Sequence, residues 1–166
     1  MRAAWILALA SCIGLAGLSV AQPPFGKGKQ ANDPAFVADR DLFHYLLDHR
    51  EKIRRTVKKL EDGVETVTES DDAAVAAKIR EHVASMKKRV EENRPIHRRD
   101  PLFDAIFHNA EKIVFKQEKT PEGVRVRETS KDPYVAKLLQ AHAEVVSRFL
   151  ANGHAEVMKN HELPKK

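Results

Sequence analysis

Histidine supplies most of the chemistry open to this chain of 166 residues, which carries eight histidines and a single cysteine. An imidazole nitrogen binds zinc, copper, nickel or haem iron, and it must be neutral to do so. His82 stands three residues after Ile79 and four before Met86, inside the stripe Val75, Ile79, Val83, Met86 and Val90. That spacing puts His82 on the apolar face of a helix, pointing inward with its neighbours. His142 has the same placement among Val135, Leu139, Val146 and Phe149. Two inward imidazoles on two helices make a candidate site for copper, zinc, nickel or haem b. His49 is a candidate third ligand, because Leu42, Leu46, His49 and Ile53 share one helical face. Bound haem needs an apolar slot, which Phe103, Phe107, Phe149 and Met86 are suited to line.

The competing reading is structural: an inward histidine commonly bonds a neighbouring carbonyl and does nothing else. No HExxH or HxxxH pair marks a metal centre, and no GxSxG marks a nucleophile. Basic runs at 54–55, 58–59 and 87–89 and from Arg94 to Arg99 are expected mainly as solvated faces. If they cluster, Arg94, Arg98 and Arg99 offer contacts for haem propionates, a phosphate or an acidic partner.

The elements that must position these residues come in two copies. Moved by 60 residues without a gap, positions 42–82 fall on 102–142, and thirteen of the 41 pairs are identical, His82 and His142 among them. Each copy reads as helix, β-hairpin, helix. Asp33-Pro34, Asp100-Pro101 and Asp132-Pro133 are helix starts, with Asp as cap and Pro in the first turn. Asp72 is the matching cap for the second helix of the first copy, and Asn152-Gly153 is a helix stop. Ile113, Phe115, Val124 and Val126 alternate with charged residues around Pro121-Glu122-Gly123. The first copy shows a weaker hairpin over 53–60 and 64–68. Gly63 and Gly123 are expected to supply the positive φ of the two turns.

The expected fold is therefore α+β: a tandem duplication whose hairpins join in one four-stranded antiparallel sheet. The helices pack on one face and a pseudo-twofold relates the copies. The expected organisation is a signal peptide at 1–21, a flexible tether at 22–33, a first unit at 34–93 and a basic linker at 94–99. A second unit at 100–153 and a C-terminal tail at 154–166 follow, both units sharing one globular domain.

Arg2 followed by the apolar run 3–20 and Ser19-Val20-Ala21 reads as an export signal cleaved near Ala21. The protein is then periplasmic or secreted. An uncleaved anchor, or a lipid anchor on Cys12, is the alternative that would keep it on a membrane. Cleavage removes Cys12, and with it disulfides, thiolate metal sites, c-type haem attachment and cysteine catalysis. The formal charge of +5 would drop only by Arg2. An exported chain of that mild charge is not expected to meet nucleic acid. Composition and pattern thus favour a non-catalytic exported binding protein that takes a metal ion or haem. A cofactor-free interaction module with an envelope protein partner is the alternative, and a metal-dependent enzyme the third.

Overall fold

The computed structural model describes residues 33–166, so the expected signal peptide and nearly all of the tether lie outside the described residues. Helix α1 (Pro34–Asp48) leads through a 3-10 turn, Arg50–Lys52, into strands β1 (Arg54–Leu60) and β2 (Gly63–Glu69), followed by helix α2 (Ala73–Glu91). After the linker come α3 (Pro101–His108), a 3-10 turn, Ala110–Lys112, β3 (Val114–Thr120), β4 (Gly123–Thr129), α4 (Pro133–Asn152) and the short α5 (His154–Val157). The strands form one antiparallel sheet in the order β1-β2-β4-β3. The class is α+β.

The caps act as side-chain chemistry demands. Asp33, Asp72, Asp100 and Asp132 each accept a hydrogen bond from a first-turn amide, at 2.9–3.0 Å for the closest. Each satisfies a donor that the helix itself leaves open. Ser70 and Ser130 accept from the amides of Asp72 and Asp132 at 3.2 Å, fixing the turn that feeds each helix. Lys52 and Lys112 reach those same aspartates, at 2.8 and 2.9 Å, rather than the adjacent glutamates.

The central strands alternate at a two-residue period, and the outer strands do so at their first residues. Val64, Thr66, Val124 and Val126 face inward and are buried, while Arg54, Thr56, Lys58, Lys116, Glu118, Arg125 and Arg127 face out and are exposed. Helix α4 lies over β1 and β2, and α2 over β4 and β2. Val75 and Ile79 of α2 pack with Leu46, Val124 and Val126, and Val135, Leu139 and Ala143 of α4 pack with Val64. Leu47, Leu102, Ile106, Leu138, Val145 and Phe149 close the far end between the helices. Each fully buried side chain of this size contributes roughly 1.5–3 kcal/mol.

The hairpin glycines serve a purpose the turn pattern does not reveal. Of the two, only Gly63 has a positive φ, 156°. What both positions share is crowding: a Cβ on Gly63 would stand 2.0 Å from the Glu128 carbonyl oxygen, and one on Gly123 2.0 Å from that of Thr68. The glycines let the two central strands begin against each other's backbone. Ser70 and Ser130 extend this junction by donating their amides to Glu122 and Asp62, at 2.9 and 2.8 Å.

Candidate functional site

Between the inner face of the sheet and helices α1 to α4 lies a cavity of about 340 Å³, within the range of small-molecule sites. Its walls are mostly apolar and aromatic, with Phe43, Met86, Phe103, Phe107, Val126 and Phe149 among them. His82 and His142 both line it. Helical phase turned each ring inward, and the packing of α2 and α4 on one sheet brings both rings to the same space.

Aromatic contacts hold the two rings. Phe43 of α1 stacks on His82 with centroids 6.0 Å apart, and Phe103 of α3 meets His142 edge-on at 5.0 Å. Phe149 joins the two sides, 5.8 Å from Phe43 and 5.9 Å from Phe103. Neither imidazole makes a hydrogen bond within the described residues, and Nδ1 of His82 is enclosed without a partner. Burial pushes the His82 imidazole down to about 4, against the weaker pull of Asp39. Burial likewise pushes His142 down to about 4, helped by the Arg55 charge. Both rings are thus neutral at physiological pH, the state in which imidazole binds a metal. Neither ring is bonded to a carbonyl; both are packed on aromatic neighbours.

The other expected ligands stand elsewhere. His49 ends α1, its Nδ1–H donating to the Tyr45 carbonyl at 2.9 Å and its ring stacked on Tyr45 at 4.2 Å. It is not among the cavity-lining residues. The linker arginines are engaged separately. Arg94 pairs with Asp33 at 3.1 Å, Arg98 with Asp104 at 2.8 Å, and Arg99 donates to the Val157 carbonyl at 2.8 Å. Each of the three thus has a different partner. Among the described residues no group of three or more His, Cys, Asp or Glu side chains is placed to hold a metal ion. No helix among them is long and apolar enough to cross a membrane.

His97, Arg55 and Glu128 are among the polar cavity residues that escaped the sequence reading. His97 belongs to the linker, yet it lines the cavity with a left-handed backbone (φ 58°), its ring edge-on to Phe103 at 5.0 Å and its Nε2 without a hydrogen bond, 4.0 Å from the Asp100 carboxylate. Burial holds its pKa below the usual histidine value, against the pull of Asp100. Arg55 and Glu128 come from the sheet floor. Their signal was present in the strand alternation: Arg55 is in phase with Val57, and Glu128 with Val124 and Val126.

Two buried polar clusters flank the cavity. Asp39 of α1 accepts from Arg89 and Ser85 of α2, with the Asp39 and Arg89 side chains both nearly closed to solvent. Asp100, fully buried, accepts from the His161 ring at 2.5 Å and from the His161 amide at 3.2 Å, while the other ring nitrogen reaches Glu156 at 3.3 Å. The second cluster pins the C-terminal tail beside Phe149. No family model, no curated protein and no solved structure matches this chain.

Proposed function

We propose that this chain is an exported, non-catalytic binding protein whose cavity takes haem b, which His82 and His142 would hold. The observation that carries the reading is two neutral imidazoles, free of protein hydrogen bonds, in one aromatic-walled cavity. Two ligands fall short of the three or four protein donors a zinc site asks for. They suffice for haem, whose porphyrin already supplies four nitrogens and whose iron takes only axial ligands from the chain. Phe43 and Phe103 fix the orientation of the rings, and the apolar walls exclude water from them. Bound haem would supply one-electron transfer or capture of a small gas.

On the same reading the chain is a duplication with a pseudo-twofold axis between β2 and β4. What supports this is the strand register. Thr66 faces Val126, its counterpart 60 residues on, while Gly63 faces Thr129 and Glu69 faces Gly123. A swap of counterparts about a central pair is what a twofold produces. The axis would relate His82 to His142 and make them an equivalent pair. Export rests on the leader pattern at 1–21.

The test is reconstitution of the purified protein with haemin, followed by absorption spectroscopy. A sharpened Soret band saturating near one haem per chain, lost in both His82→Ala and His142→Ala, is the expected result. A well-folded protein that gives no Soret change sinks the haem reading. Parallel titrations with copper, nickel and zinc would then show whether a bare ion is held.

A further inference from the structure

The cavity floor carries charge that folding alone does not explain. Arg55 lines the cavity from β1, and its Nη1 donates to Thr68 Oγ1 at 2.6 Å. Its Nε is enclosed with no acceptor, and among the described residues no carboxylate stands within ion-pair distance of it. Glu128 lines the same floor from β4 and makes no hydrogen bond or ion pair with a described residue. The two sense one another's charge without touching. A guanidinium in apolar surroundings is costly unless a carboxylate meets it. This fold supplies such a partner where it buries an arginine for structure, as Asp39 does for Arg89.

The repeat gives an independent argument. Sixty residues on from Arg55 stands Phe115, and sixty back from Glu128 stands Thr68. Both hairpins form, so neither charge is needed to build a hairpin of this kind. Arg55 and Glu128 are therefore not accounted for by hairpin formation.

We propose that the sheet floor is a carboxylate-binding subsite, in which the Arg55 guanidinium takes a carboxylate of the cavity ligand and Glu128 adds a second hydrogen bond. This rests on the cavity being a ligand site and deepens the haem reading, since haem carries two propionates. The planar guanidinium presents paired N–H donors that match a carboxylate. Thr68 takes one N–H of Nη1, and Nη2 makes no hydrogen bond with a described residue. Glu128 binds alongside in its protonated form, which burial favours by pushing its carboxyl up to about 7. The neutral His142 adds no charge to oppose the guanidinium.

The experiment compares two probe pairs on the wild type and on Arg55→Gln: haemin with its dimethyl ester, and octanoate with octanol. Titration calorimetry reads the second pair, the Soret band the first. The expected result is that wild type prefers the acid of a pair by about tenfold or more, and that Arg55→Gln abolishes the preference while leaving the neutral probe within about twofold. Equal binding of acid and neutral probe by wild type overturns the subsite, as does a preference that survives in Arg55→Gln. The wild-type comparison stands even should that variant fail to fold. Haemin that binds with an axial-histidine spectrum but without regard to its propionates leaves the haem reading standing and removes the subsite. An Arg55-dependent preference for octanoate without any Soret change does the opposite. If neither pair binds, both fall.

Discussion

Replacing both cavity histidines by leucine should reverse the pH dependence of stability. In the unfolded chain an imidazole titrates near 6.5, and in the cavity His82 and His142 are held down to about 4. Between those values the unfolded chain takes up a proton at each position and the folded chain does not. The stability linked to each is complete above pH 6.5 and is lost as pH falls toward 4, at 1.36 kcal/mol per pH unit. The full interval would be worth about 3 kcal/mol per ring. Part of each ring faces the cavity rather than packed protein, so about 2 kcal/mol each is the working figure. Glu128 acts in the opposite sense. Its carboxyl is raised from 4.5 to about 7, so its contribution is present below 4.5 and lost as pH rises through 7. Between about pH 4.5 and 5.5 these three groups together make wild-type unfolding take up about one proton net. Their contribution falls by about 1.4 kcal/mol per pH unit on acidification. His82→Leu/His142→Leu leaves Glu128 alone and turns that contribution into a rise of similar size. Glu128→Gln steepens the fall to nearly double. Urea unfolding followed by circular dichroism at half-unit steps of pH, without added haem or metal, measures each slope. His97 and the surface carboxylates are common to all three proteins and cancel in the comparison. A double-leucine variant whose slope matches wild type would show that the rings are not held neutral, and the argument for a ligand-ready pair would fail with it.

Other consequences are separable. Arg89→Met should cost about 3 kcal/mol, because it strands the Asp39 carboxylate, and Asp39→Leu/Arg89→Met should recover most of that in the same denaturation assay. Gly123→Ala should prevent the β2–β4 junction, since its Cβ would overlap the Thr68 carbonyl, and a thermal scan should show a loss above about 4 kcal/mol or no cooperative transition. His49→Gln should leave haemin binding within about twofold and cost at most about 1 kcal/mol, for the lost bond to Tyr45. His161→Ala should release the tail from Asp100 and Glu156, read as rapid proteolysis after residue 157 with a loss of about 2 kcal/mol.

Local chemistry was legible where one segment suffices to express it. Asp-Pro pairs announced α1, α3 and α4, because a cap and a first-turn proline act within four residues. Alternation placed β3 and β4, and the gapless 60-residue sequence match then located the weaker β1 and β2. The turn glycines were found, but their main reason was not, since crowding against a partner strand has no local signature. His49 shows the limit of helical phase. It shares a face with Leu42 and Leu46, yet it stands at the end of α1, where the Tyr45 carbonyl, which also accepts the His49 amide, captures its ring. His97, Arg55 and Glu128 were passed over because a linker carries no phase and a charged residue in a strand reads first as surface.

The amino-acid order by itself determined the elements, their caps and the inward direction of His82 and His142, because side-chain direction follows from backbone period alone. Only the tertiary structure decided that both rings meet one cavity, that aromatic rings rather than carbonyls surround them, and that Arg55 and Glu128 share the floor. Those outcomes depend on distances between elements. Such distances are set by the register of β2 on β4 and by how α2 and α4 lie across the sheet, and no single segment encodes either.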